Sequence, residues 1–92
     1  MRVALIQMSV TADKEKNITV ACEYIRRAAE QGADMAVLPE MFCCPYDNGC
    51  FRAYGEEAGG PAQTALSKAA AELGVYVVGG SLPELEGGKV YN

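Results

Sequence analysis

Met35-Ala36-Val37-Leu38-Pro39-Glu40-Met41-Phe42 joins a short apolar run to a proline that stops it and a carboxylate just beyond. An uninterrupted apolar stretch suits a strand covered on both faces, as in parallel sheets. A glutamate at the carboxyl end of such a strand stands where open α/β sheets gather ligands and catalytic groups. Held between a buried strand and aromatic neighbours, Glu40 is expected to be partly desolvated. Desolvation favours the neutral acid and suits proton transfer. The bland alternative is a carboxylate that accepts backbone N–H bonds from the following loop or caps a turn.

Outward from this stretch the same pattern repeats. Val3 to Met8 is a nearly continuous apolar run and reads as a first strand. Asp13 or Thr11 can cap a helix whose apolar stripe is Ile18, Ala21, Cys22, Ile25, Ala28 and Ala29, and Gly32 ends it where a left-handed residue is wanted. Beyond Glu40, Met41 to Gly60 reads as an irregular loop with Pro45, Asp47-Asn48-Gly49 and Gly59-Gly60 as turn formers, and loops of that length are usually functional. Pro61 opens a second helix with the stripe Ala65, Leu66, Ala69, Ala70 and Leu73, closed by Gly74. Val75 to Val78 reads as a third strand, Glu84 to Gly88 as a turn, and Lys89 to Asn92 as the start of a fourth strand. The order β-α-β-α-β predicts an α/β fold of parallel strands joined by right-handed crossovers. Strands laid down in one direction put both helices on one face of the sheet. The other, equally apolar face is then left for something outside the chain to cover.

The bulk properties narrow the function. The chain has 92 residues, half of them hydrophobic, which limits it to one domain or a piece of one. Eight basic residues against twelve acidic ones give a net charge of -4, with no basic cluster beyond Arg26-Arg27, so nucleic acid is not an expected partner. No apolar run approaches a membrane span, and the opening residues lack a signal h-region and cleavage site. A cytoplasmic location with four free thiols is expected on that basis.

Cys43, Cys44 and Cys50 follow Glu40, and a thiolate beside a general base is the unit of covalent acyl transfer. Adjacent loop cysteines are more often packing thiols, however, and no nearby cation here supplies the environment that activates one. Their spacing matches no zinc site, and the chain has no histidine. Cys22 falls on the helix stripe and reads as core. No Gly-x-Gly-x-x-Gly follows the first strand, which disfavours a dinucleotide site. Gly79-Gly80 instead suggests a close backbone approach at the end of strand three, at the same rim as Glu40. Tyr46, through its closeness to Glu40, and Phe42 are the candidate walls of a substrate pocket.

Val3-Ala4-Leu5-Ile6-Gln7, Gly32-Ala33-Asp34 leading into Leu38-Pro39-Glu40-Met41-Phe42, Pro45-Tyr46, Val78-Gly79-Gly80-Ser81-Leu82-Pro83-Glu84 and Tyr91-Asn92, taken in order, resemble the amino-terminal portion of the nitrilase or carbon-nitrogen hydrolase superfamily. The likeness is strongest to its omega-amidase branch. It runs along essentially all of residues 1–92 and covers only the opening part of the family's single domain. The resemblance implies a four-layer α-β-β-α sandwich, a homo-oligomeric full-length protein, and hydrolysis of a non-peptide carbon-nitrogen bond by a Glu-Lys-Cys triad. It implies no metal or organic cofactor and a small carboxylated amide as substrate. Glu40 matches the family's glutamate. The family's lysine and nucleophilic cysteine have no counterpart before Asn92, so residues 1–92 by themselves are expected to be inactive.

Within the same family, a carbamoyl-amine hydrolase or a nitrilase is the alternative. From another class comes a non-catalytic α/β binding module of receiver or flavodoxin-like type. A receiver needs an acidic cluster after strand one, where Ser9-Val10-Thr11-Ala12 stands instead, and Ser9 with Thr11 gives a phosphate little to hold.

Overall fold

The computed structural model describes residues 1–92. The strands β1 (Val3–Leu5), β2 (Met35–Val37) and β3 (Tyr76–Val78) form a parallel sheet in the order β1-β2-β3. The helix α1 (Lys14–Glu30) connects the first two, and α2 (Asn48–Tyr54) and α3 (Pro61–Leu73) lie between the second and third. All three strands are shorter than the apolar runs that encode them. Ile6, Met8, Leu38 and Val75 lie just outside the strands yet still pack into the core.

Both long helices are delimited by the residues that the sequence singled out. Asp13 is the N-cap of α1, its carboxylate accepting from Lys16 N at 3.1 Å. Thr11 takes a different task, exchanging hydrogen bonds with the buried Asn17 side chain. Pro61 occupies the first turn of α3, and Gly74 closes it in the left-handed region at φ 65°.

Side chains alternate across a strand, and the register makes the consequence plain. Ala4, Ala36 and Val77 lie side by side and face the helices. There Ala21 and Ile25 of α1 meet Ala62, Leu66 and Ala69 of α3, together with Leu38, Phe42, Cys43 and Cys44. The opposite row holds Val3, Met35 and Tyr76, then Leu5, Val37 and Val78. Leu5 is 78% exposed and Tyr76 67%, so the sheet's second face is bare, as the one-directional strand order predicts. Residues 1–92 thus supply one helix layer and one sheet layer.

Two expectations are corrected. The stretch from Met41 to Gly60 is not wholly irregular, because Asp47-Asn48-Gly49 starts a helix instead of a free turn. The Asp47 carboxylate accepts from Gly49 N at 2.8 Å, and Phe51 and Tyr54 of α2 pack on the core. Glu84 to Gly88 is likewise more than a turn. Glu84–Glu86 forms β4, which pairs antiparallel with β5 (Lys89–Tyr91) through Gly87 and Gly88, both at positive φ as a type I′ two-residue hairpin requires. The fourth strand therefore exists, but in a separate two-stranded sheet and not as an extension of β1-β2-β3.

Candidate functional site

The chain leaves β2 through Leu38 and Pro39 and turns at Glu40. Two features of the segment after β3 fix this turn. Gly80, at φ 73°, passes so close beneath it that a Cβ there would lie 2.1 Å from the Pro39 carbonyl oxygen, a contact only glycine avoids. Ser81 then anchors the far side. Its Oγ accepts from Met41 N at 3.1 Å, and its carbonyl accepts from Phe42 N at 3.2 Å. Met41 itself sits at φ 53°, the chain's one non-glycine residue at positive φ. Such conformations persist only where the surroundings hold them and cluster at functional sites.

Glu40 is exposed, not desolvated as its position beside the buried strand suggested. Its apolar neighbours turn into the core and the carboxylate turns out. Oε2 accepts from Asn92 Nδ2 at 2.7 Å, and Oε1 has no hydrogen-bond partner in the protein. Asn92 lines two concavities. One, of about 340 Å³, is also lined by Met41, Tyr46, Phe51, Arg52 and Tyr91. The other, of about 250 Å³, includes Gly79, Ser81 and Leu82.

Tyr46 is 70% exposed and lines the larger concavity, its ring edge-on to Phe51 with centroids 5.6 Å apart. Phe42, the other candidate wall, is instead completely buried in the core cluster, where no substrate reaches it. The turn after Glu40 buries four side chains in succession, Met41, Phe42, Cys43 and Cys44, and Phe42 is one of them.

Cys43 and Cys44 are buried as well, and burial pushes the Cys43 thiol up to about 11, so it remains protonated near neutrality. This is the environment of a packing thiol. All four cysteines are free, and no group of three metal-ligating side chains comes together.

The buried carboxylate of the chain is Glu56, a residue the sequence reading passed over. It pairs with Lys14 Nζ at 2.8 Å and accepts from Ala62 N and Gln63 N at 3.0 and 3.1 Å, capping α3 from outside because the N-cap Gly60 has no side chain to do so. Burial alone would raise its carboxyl, but the Lys14 hydrogen bond and the two backbone N–H groups outweigh it and hold the group below its ordinary value. With every partner internal to the fold, Glu56 has the environment of a structural carboxylate.

Ser81 and Asn92 also carried no assigned role. Both lie within motifs quoted above, yet they meet the Glu40 turn through contacts across 40 and 52 residues, which no local pattern announces.

The comparisons with known proteins converge. The family model described as carbon-nitrogen hydrolase matches residues 2–92. Human omega-amidase NIT2 is 45% identical over 91 residues, covering 99% of this chain and 33% of that protein. The bovine omega-amidase NIT2 is 46% identical over the same length. The chain thus spans about a third of the length of the curated relatives it matches. Among solved structures, Saccharomyces cerevisiae Nit3, a member of branch 10 of the nitrilase superfamily, superposes with a TM-score of 0.87 at 35% identity, over 98% of this chain and 36% of the yeast protein.

Proposed function

The chain belongs to the carbon-nitrogen hydrolase family, and on that premise we propose that Glu40 is the general base of an omega-amidase that releases ammonia from a small carboxylated amide. The observation that carries the reading is the setting of Glu40. It lies at the carboxyl end of the central strand, one oxygen held by Asn92 and the other unengaged, on a turn that Gly80 and Ser81 pin in place. Similarity to proteins named omega-amidases supports the same choice of reaction.

The chemistry follows from the parts. A carboxylate with a free oxygen takes the proton of an attacking thiol, the thiolate adds to the amide carbonyl, and the protonated glutamate returns the proton to departing ammonia. Water then repeats the cycle on the thioester. A lysine ammonium stabilises the tetrahedral oxyanion. Neither the lysine nor the nucleophile is assigned within residues 1–92, and the buried Cys43 is unsuited to the second role. The substrate class proposed is the monoamide of a dicarboxylic or 2-oxo dicarboxylic acid, and residues 1–92 by themselves are proposed to be inactive.

The full-length protein is proposed to be a cytoplasmic homo-oligomer. Four free cysteines suit a reducing compartment, and no helix is long and apolar enough to cross a membrane. The test is Glu40→Gln in the full-length protein, followed by ammonia release from such a monoamide. Lost turnover with an unchanged circular dichroism spectrum is the expected result, and normal turnover refutes the assignment. The binding-module alternative loses its support at Thr11, whose hydroxyl is engaged with Asn17 and Asp13 and not presented to a ligand.

A further inference from the structure

We propose that Asn92 is a positioning residue for the reaction, holding the Glu40 carboxylate so that Oε1 faces the proton it must take. The inference rests on the role of Glu40 given above and adds to it. An exposed glutamate on a turn has three side-chain torsions and sweeps a wide arc. A general base must place one oxygen within about 2.6–3.2 Å of its target. The backbone of the turn is already fixed by the close approach of Gly80 and the Ser81 bonds, but neither of these touches the carboxylate. The 2.7 Å bond from Asn92 Nδ2 to Oε2 does, and it is the only hydrogen bond that the protein makes to this group.

Two further observations favour a functional contact over a structural tie. Asn92 lines both concavities described above, and although Glu40 lines neither, both side chains are exposed, so the donor stands at a place open to a small molecule and not in packed core. The donor is also a neutral amide. An ammonium or guanidinium at this place would orient the carboxylate equally well, but would stabilise its charge and weaken it as a base. A side-chain amide orients the group with less of that loss.

The test compares Asn92→Ala, Asn92→Asp and Glu40→Gln with the wild type in the full-length protein, by steady-state ammonia release and thermal melting. Misplacement of a catalytic group by about 1 Å can cost on the order of a hundredfold in rate. Asn92→Ala is therefore expected to lower kcat by about ten- to a hundredfold with little change in KM. Asn92→Asp keeps the size and shape of asparagine but cannot donate while ionised and repels Glu40, so it is expected to fall below Asn92→Ala in kcat while melting near the wild type. A residue that only braces the fold gives the reverse order, because the isosteric aspartate restores packing and the alanine does not. Wild-type kcat in Asn92→Asp with Glu40→Gln inactive overturns the positioning role alone, as does a loss confined to KM. Activity in Glu40→Gln overturns both readings together. Should Asn92→Ala fail to fold, the isosteric Asn92→Asp still decides the matter.

Discussion

Two glutamates divide this molecule. Glu40 is exposed and bonded to a single neutral side chain, whereas Glu56 is buried with an ion pair and two backbone N–H groups around it. Each is served by a glycine. Gly80 passes beneath the turn that carries Glu40, and Gly60 lies where a Cβ would come within 2.5 Å of Glu56 Oε2. The comparison teaches that the buried carboxylate of a fold need not be the one with an oxygen left unengaged. A fully partnered acid stabilises and has no capacity left for chemistry, whereas one with a free oxygen on a rigid turn can exchange a proton.

The sharpest way to break that division is to exchange the two phenotypes by mutation. Glu40→Gln in the full-length protein should lower kcat about a thousandfold, within the usual span of general-base contributions. Its chemical-denaturation midpoint should stay where it is. Glu56→Ala should do the opposite to stability, at a loss of about 3 kcal/mol in urea unfolding, because it strands the half-buried Lys14 ammonium and uncaps α3. Third in size is Gly80→Ala, expected to cost about 2 kcal/mol by the same measurement. Its Cβ must displace the Pro39 carbonyl, so this variant should lose activity as well and join the two halves of the comparison.

The smallest effect is on pH dependence. The folded Glu56 carboxyl is held below its ordinary 4.5, so its bonds contribute above that value and are lost as pH falls through the lower folded value. Melting curves from pH 7 down to about pH 3 should therefore decline less steeply for Glu56→Gln than for the wild type. Equal slopes would show that the Lys14 pair is worth no more in the folded chain than in the unfolded one.

How much of this was legible beforehand follows from the range of the interactions. Local signals located both long helices, since Asp13, Gly32, Pro61 and Gly74 act within one turn of themselves. Apolar runs located the three parallel strands, and the constant direction of the chain foretold the bare face. The short helix at Asn48 was missed because Asp47-Asn48-Gly49 serves a turn and a helix start equally well, and the choice was made by Phe51 and Tyr54 finding the core. The hairpin was missed although Gly87-Gly88 announces one, because a three-residue Glu-Leu-Glu strand has little apolar content to mark it. Glu40 was singled out by position and its neighbours' motifs, but its exposure was misjudged. A run such as Met41-Phe42-Cys43-Cys44 shows that burial lies nearby without showing which way the preceding side chain turns.

With Val3, Leu5, Tyr76 and Val78 in water, two copies of the chain gain free energy by meeting face to face, at about 25 cal/mol for each Å² covered. A formal charge of -4 on each opposes the encounter. Salt removes the opposition but not the attraction, since the Debye length shrinks from about 30 Å at 0.01 M to about 10 Å at 0.1 M. Residues 1–92 should therefore grow less soluble as ionic strength rises and be retained on a phenyl resin in concentrated ammonium sulfate.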